Sequence, residues 1–395
     1  MISTPVSDRE ARPAQARLPD GARAHEHQRR RMLIVGAVPP PYFGGSVVTQ
    51  TLLESSLAQR YELLHVDTSD RRGADNIGRL DAANVWLAGI HATRFLKSLV
   101  RSRADIIYLP VAQNTLGFLR DALFLVPAAL SGIPIVVHFH GGRFDEFLAR
   151  APAAVRVLAR LLLGRVARAI VLGSVLRDML GGIVAAERIA VVPNGVPDPG
   201  PMVRQPRDGP LRVLFLGNLI PEKGYGELVR AAGRLREAGA EVELVLAGAV
   251  TDAAAHERVL ADSRPLGGRV RFVGPVDAAA KRRLLREVDV LALPSYYGNE
   301  AHPLVLLEAM AAGLPVVATR HVAIPEIVED GETGILVEPR DVDGLTTALR
   351  RFAVDPALRV RLGAAGRRRY EAEFTAARWA TRMARVFDSV AGAEP

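Results

Sequence analysis

Short, almost wholly apolar runs alternate with longer amphipathic stretches through most of this chain, stop at a segment crowded with proline, and then resume. The first half carries Met32–Val38, Glu62–Val66, Asp105–Val111, Ile133–His140, Arg168–Gly173 and Ile189–Val192. The second carries Leu211–Leu216, Val242–Ala247, Val270–Val273, Val288–Leu293, Pro315–Thr319 and Gly334–Val337. Runs this short and this uniformly apolar read as strands buried on both faces. Helical patterns lie between them, at Ser46–Arg60, Asn84–Arg101, Ala153–Val166, Tyr225–Ala238, Ala278–Glu287, Pro303–Ala312 and Val342–Ala353. Strand and helix in alternation predict parallel sheets covered by helices on both faces, an α/β fold.

The break at Pro193–Pro210 holds six prolines, several glycines and no apolar period, which predicts a linker between two domains. A length of 395 residues agrees with two domains. The expected organisation is a disordered basic tail at 1–31, a first domain at 32–196, a linker at 197–210 and a second domain at 211–374. A last helix at about 375–390 carries Trp379, Met383 and Phe387 on one side and Arg378, Arg382 and Arg385 on the other, a pattern expected to pack back on the first domain. Two doubly wound domains aim the carboxyl ends of their strands into a shared cleft, where such sheets bind ligands.

Composition excludes several classes. The chain has no cysteine, so disulfides and thiolate metal sites are ruled out and a reducing, cytoplasmic setting is expected. The net charge of +8 lies mainly in the first 200 residues, with no zinc-finger, RRM-like or basic-zipper pattern beside it, so nucleic acid is not an expected partner. The Ala, Arg and Pro-rich tail has no apolar core of a signal peptide. The longest uncharged run, 122–142, is broken by Pro127 and by Ser131-Gly132-Ile133-Pro134, which argues against a membrane span. Contact with an anionic membrane surface is a separate expectation, resting on the basic first domain and the Arg-studded apolar stretch Val155–Val171. Only three lysines occur (Lys97, Lys223, Lys281) against 48 arginines, so each lysine carries more information than usual.

Four motifs point to chemistry. The first runs from Gly298-Asn299-Glu300 through Ala301-His302-Pro303-Leu304 to Glu308-Ala309-Met310-Ala311 and Gly313-Leu314-Pro315-Val316-Val317-Ala318. Pro303 is expected at the first helical position and Gly313 just past the end. That helix would offer free N–H groups to an anion such as a diphosphate. Glu308, two turns inside among Leu306, Leu307 and Met310, needs a partner. The second is Gly217-Asn218-Leu219-Ile220-Pro221-Glu222-Lys223-Gly224, between the first strand and first helix of the second domain. The third is Pro39-Pro40-Pro41-Tyr42-Phe43-Gly44-Gly45-Ser46, whose paired glycines permit close backbone approach before a helix. The fourth is His138-Phe139-His140-Gly141-Gly142-Arg143 at a strand end. His138 and His140 share a strand face, but no third ligand accompanies them, so no metal site is expected. Asp341-Val342-Asp343 is read as a helix start with Asp343 as its cap, and Asn194-Gly195 as a tight turn.

Glu300 and Glu308, with seven residues between them and followed by the Gly-x-Pro-Val-Val-Ala stretch, resemble the E-x7-E signature of the family 4 retaining glycosyltransferases, and the resemblance extends over about residues 32–390. It implies the GT-B fold, two Rossmann-like domains facing a central cleft, with the acceptor on the first and a nucleotide sugar on the second. It implies that Glu300 contacts the donor sugar and Glu308 the ribose, with Ala301, His302, Pro303 and Leu304 as further donor-binding positions. Lys223 matches the family's diphosphate lysine, while Asn218 stands where an arginine is usual. Gly44 and Gly45 match the glycine loop near the diphosphate, and His140 a cleft histidine that contacts the donor sugar. His140, Glu300 and Lys223 are therefore the expected catalytic residues. The implied reaction moves a glycosyl group from a nucleotide diphosphate sugar, a substrate and not a cofactor, to a hydroxyl acceptor without metal and with retained configuration. A lipid-linked saccharide of surface polysaccharide synthesis is the acceptor that family habit suggests. The competing readings are a sugar-nucleotide epimerase of the same fold and a non-catalytic partner subunit, the latter motivated by Asn218.

Overall fold

A computed structural model describes residues 29–40, 43–72, 81–200, 202 and 209–391. Most of the expected tail, Pro41 and Tyr42 of the third motif, and linker positions 201 and 203–208 lie outside the described residues.

The first sheet is built from β1 (Arg30–Gly36), β2 (Tyr61–Asp67), β3 (Ile106–Pro110), β4 (Ile135–His138), β5 (Arg168–Val171) and β6 (Ile189–Val191), in the spatial order β2-β1-β3-β4-β5-β6. The second holds β7 (Leu211–Leu216), β8 (Val242–Ala247), β9 (Val270–Gly274), β10 (Val290–Leu293), β11 (Val316–Thr319) and β12 (Gly334–Val337), in the order β12-β11-β10-β7-β8-β9. Every strand pairing within the two sheets is parallel. These are two Rossmann-like domains. The strand order reverses between β1 and β3 in one sheet and between β7 and β10 in the other, and each reversal opens a crevice at the strand ends.

Helices of the first domain are α1 (Gly44–Glu54), α2 (Leu57–Arg60), α3 (Ala82–Ser102), α4 (Thr115–Leu130), α5 (Phe144–Arg150) and α6 (Ala153–Leu163). Phe95 of α3, Phe118 and Leu125 of α4 and Leu163 of α6 join Leu33, Ile107 and Val137 in one core layer. The opposite layer contains Val48 and Leu52 of α1 with Met32, Ile34, Tyr108 and Val136. The second domain adds α7 (Tyr225–Glu237), α8 (Ala253–Ser263), α9 (Ala278–Glu287), α10 (Leu304–Ala311), α11 (Ile324–Ile327), α12 (Val342–Val354) and α13 (Pro356–Glu373).

The last helix, α14 (Ala376–Ala391), buries Trp379, Met383 and Phe387 in the first domain's second core layer. The Phe387 ring meets Tyr108 edge-on with centroids 5.9 Å apart. The chain thus crosses between domains twice, and the two crossings hold each other. Val196 bridges Thr375 in a short parallel contact, Tyr370 Oη donates to the Val196 carbonyl at 3.0 Å, and Arg367 grips Asp198 at 2.6 Å.

Two turn readings change. Asn194-Gly195 is not a tight turn. Gly195 is demanded by close approach, because a Cβ there would lie 2.6 Å from Trp379 Cβ, and Asn194 instead donates to the His302 carbonyl at 2.9 Å. The cap of α12 is Asp341, which accepts the Gly344 N–H at 2.8 Å, whereas Asp343 sits in the first turn and pairs with Arg234. The helix starts one residue after the first aspartate, so geometry gives the capping role to that one.

Candidate functional site

The reversal between β7 and β10 explains how two motifs more than seventy residues apart in sequence come together. β7 exits through Gly217, whose φ of 146° is a conformation reserved for glycine, into a short 3-10 turn at Pro221–Lys223. Gly224 closes that turn at φ 79°, and a Cβ on it would fall 2.2 Å from the Pro294 carbonyl oxygen. The turn is therefore pressed against the exit of β10, and the Tyr296 N–H donates to the Glu222 carbonyl at 2.7 Å. Lys223 Nζ meets Glu300 Oε2 at 3.1 Å, with the two side chains 18% and 10% exposed. Ser295 Oγ donates to the same carboxylate oxygen at 3.4 Å, and the Glu300 N–H closes on the Tyr297 carbonyl at 2.8 Å. Asn218 is exposed at the mouth of the turn.

The helix after Glu300 is short. α10 begins at Leu304, so Pro303 is its cap residue in an extended conformation and not its first helical residue. Glu308 consequently sits little more than one turn inside, and not two. Its carboxylate is ion-paired with Lys281 on the neighbouring α9. Two of the chain's three lysines thus face the two glutamates of the motif. Sequence reasoning singled out lysine as informative yet gave Lys281 no role. Its scarcity was the available signal.

From the first domain come His138 and His140, with ring centroids 4.1 Å apart. His138 Nδ1 is hydrogen-bonded to Tyr108 Oη at 2.8 Å. Both ring nitrogens of His140 are buried with no hydrogen-bond partner among the described residues. Burial holds this imidazole down at a pKa of about 4, so at neutral pH it is uncharged and offers one donor and one acceptor. Gly44 and Gly45 are not in a loop before the helix. They form the first turn of α1, neither has positive φ, and a Cβ on Gly45 would reach His140 Cδ2 at 3.7 Å. Gly45 keeps that approach open, while Gly44 faces open space.

The domains touch along the rim of this site. Arg143 lies over Gly298, where a Cβ would clash with the guanidinium at 2.0 Å. The Glu326 carboxylate accepts the Ser174 and Val175 N–H groups at 2.8 and 3.0 Å and Ser174 Oγ at 2.9 Å. No sequence motif pointed to either contact. Ala301 is buried with Phe139, Phe144 and Leu176 of the first domain. His302 is buried against Phe374 with ring centroids 5.7 Å apart, and burial holds its pKa near 3. Ligand contact by the side chains of Ala301 and His302 does not fit this packing; any contact from them falls to their backbone. Among the described residues no group of three His, Asp or Glu is arranged to hold a metal ion.

Residues 203–369 match the family model of glycosyl transferases group 1. The chain is 38% identical over 190 residues to glycogen synthase of Mycobacterium tuberculosis, covering 47% of this chain and 44% of that protein. It is 34% identical over 209 residues to phosphatidyl-myo-inositol mannosyltransferase of Mycolicibacterium smegmatis, covering 51% and 52%. The chain spans about half the length of the curated relatives it matches. Among solved structures, sucrose-phosphate synthase from Thermosynechococcus elongatus is similar with a TM-score of 0.74, 21% identity and coverage of 92% of this chain and 99% of that one. The Anabaena protein HepE in complex with UDP is similar with a TM-score of 0.69, 18% identity and coverage of 91% and 100%. These two likenesses support the two-domain Rossmann-like architecture.

Proposed function

We propose that this chain is a retaining glycosyltransferase that moves a hexosyl group from a nucleotide diphosphate sugar to a hydroxyl acceptor. The observation that carries the reading is the Lys223–Glu300 pair at the β7/β10 crevice. The first domain adds a half-buried His140 whose ring nitrogens have no partner among the described residues, two positions before Gly142, where a Cβ would lie 3.5 Å from the Gly298 carbonyl oxygen. A diphosphate suits Lys223 and the backbone N–H groups that begin α10. Sugar hydroxyls, each both donor and acceptor, suit Glu300 and neutral His140. Glu308 takes the ribose hydroxyls, and Lys281 keeps its charge compensated. The group 1 match over the second domain supports a nucleotide-sugar site there, and the UDP in a protein of the same architecture makes UDP the first candidate.

In the proposed step the acceptor oxygen bonds the anomeric carbon on the face from which the leaving group departs. The bond from that carbon to the β-phosphate oxygen breaks, and the acceptor proton passes to the departing phosphate. Lys223 stabilises the charge that grows on that phosphate, which is electrostatic catalysis. His140 and Glu300 fix the sugar. The scheme uses no metal.

Calorimetric titration of UDP, GDP, ADP, dTDP and NAD into wild type and Lys223→Ala, without metal, tests the reading. Binding of one nucleoside diphosphate that weakens at least tenfold in the variant is expected. Binding of NAD alone, or of no nucleotide, would overturn it. A product with inverted configuration, or conversion of the sugar nucleotide with no acceptor present, would replace the reaction while leaving the site.

A further inference from the structure

The uncharged stretch 122–142 is not a membrane span, and no helix among the described residues is long and apolar enough to be one. The structure nevertheless leaves much of it unexplained by the core. α4 buries Phe118, Ala122, Leu125 and Ala128 on one side, yet Leu116, Leu119, Leu123, Val126 and Leu130 are exposed on the other. Their spacing of three, four, three and four residues makes one unbroken stripe, about 20 Å long at 1.5 Å per residue. Leu130 at its end is 83% exposed. Single exposed leucines are ordinary, but a stripe of five apolar side chains that no described residue covers is not.

The two helices beside α4 also expose apolar side chains. α4 packs between α3 and α6. α3 exposes Trp86 at 71%, Val100 at 81% and also Leu96, while α6 exposes Val157 and Leu161. Charge on these helices has one sign. α3 and α6 contain no acidic residue, and the single acid of α4, Asp121, is buried, where it accepts the Ala112 N–H and pairs with Arg120. The exposed cations include Arg94, Lys97 and Arg101 on α3 and Arg160 on α6.

We infer that the outer face of α3, α4 and α6 docks on an anionic phospholipid bilayer. An apolar stripe flanked by long cationic side chains and an exposed Trp matches the boundary between acyl chains and headgroups. A second copy of this chain is disfavoured by the same charges, since a two-fold contact would set cations against cations. The stretch Val155–Val171 contributes only at Val157 and Leu161, because most of its other apolar residues are core, and α4 carries the larger part. The stripe starts three residues after Gln113, whose Oε1 accepts the Arg143 N–H beside the cleft, so a docked molecule would hold the cleft rim near the bilayer.

The inference is independent of the reading of the cleft, because docking is measured without turnover. The full chain is floated with vesicles of phosphatidylcholine, with and without phosphatidylglycerol, at low and high salt. Trp86 emission is followed alongside; Trp379 is buried in the core, so its emission is a constant background that docking does not shift. Wild type is expected to float only with phosphatidylglycerol, to release at high salt and to shift Trp86 emission to the blue. Both Leu119→Ser/Leu123→Ser/Leu130→Ser and Lys97→Glu/Arg101→Glu should bind at least tenfold more weakly while keeping the wild-type melting temperature within a few degrees. Absence of wild-type binding, or unchanged binding in both variants, would overturn the inference. So would light scattering that shows a dimer dissolved by the leucine variant with no vesicle binding, which would assign the face to a second copy.

Discussion

Removing the Glu326 carboxylate tests whether the two domains are held together beside the cleft by a specific latch. The carboxylate accepts three hydrogen bonds from Ser174 and Val175, two of them from backbone N–H groups that open a 3-10 turn and have no other partner among the described residues. Hydrogen bonds to a charged group contribute about 1.5–3 kcal/mol each when desolvated. These are exposed, so water takes over much of the loss, and about 2 kcal/mol for all three in Glu326→Ala is the reasoned magnitude. At 1.4 kcal/mol per factor of ten, the closed arrangement loses about 30-fold against open ones. Glu326→Gln keeps one acceptor oxygen and should fall between. Gly173→Ala should reach the same end by another route, because its Cβ would lie 2.6 Å from Ala323 Cβ and push the domains apart. Hydrogen exchange at the Ser174 and Val175 amides reads the contact directly, and small-angle scattering reads the separation. Faster exchange by tenfold or more, with a larger radius of gyration, is expected in Glu326→Ala and Gly173→Ala. Exchange within twofold of wild type in both variants would refute the reasoning.

Three further outcomes follow from the packing. His140 and His302 are held by burial at pKa values of about 4 and 3, below the ordinary 6.5, so the unfolded chain binds protons that the folded one refuses. Their contribution is present above pH 6.5 and lost as pH falls toward 4, by about 3 kcal/mol for His140, and urea unfolding at pH 7 against pH 5 should show stability falling with acid. Gly195→Ala should cost about 2 kcal/mol because its Cβ meets Trp379 and the Thr375 carbonyl, whereas Gly44→Ala, with open space around it, should leave the melting temperature nearly unchanged. A double-mutant cycle of Lys281→Met and Glu308→Gln should return a coupling of about 1 kcal/mol, since the pair is only partly screened from water; a coupling near zero would show that Glu308 is held by something else.

The strands were legible because a parallel sheet buried on both faces leaves few polar positions, and runs such as Leu211–Leu216 and Val242–Ala247 each carry a single charged residue near the start, Arg212 and Glu243. Lys223, Glu300 and Glu308 were legible because they sit in long composite motifs with glycine and proline at fixed offsets. The contacts that assemble them were not. Lys281 is one cation on an arginine-rich amphipathic helix, and nothing local says that it turns to Glu308. Glu326 and Arg143 meet the other domain across a boundary where no periodicity operates, and the local signal at Arg143 is only its i,i+3 pairing with Glu146. The stripe on α4 was visible as an uncharged run, but sequence alone cannot say which leucines of an all-apolar helix face outward. At helix starts, Pro303 was misplaced by one position and Asp343 by two, since pattern alone does not decide between cap and first turn.

The two lysine–glutamate pairs also bear on how a ligand would be oriented in the proposed reading. A cleft carrying Lys223 alone would attract any anion, and one carrying Glu300 alone would repel every phosphate. At 3.1 Å the two together are nearly neutral at a distance and strongly polar close up. A diphosphate gains only by approaching on the lysine side, because the carboxylate opposes it on the other. A sugar hydroxyl gains on the carboxylate side, where it donates without bringing charge. The pair therefore sorts the two ends of a nucleotide sugar by charge, and the neutral His140 adds a donor and an acceptor without disturbing that balance. Lys223→Ala would then do more than weaken diphosphate binding. It would leave the Glu300 carboxylate, 10% exposed, without its cation and facing the site where phosphate must go. Lys223→Ala/Glu300→Gln, which removes both charges, should consequently bind a nucleoside diphosphate more tightly than Lys223→Ala alone; if it binds more weakly, the carboxylate does not oppose the phosphate and the sorting argument fails.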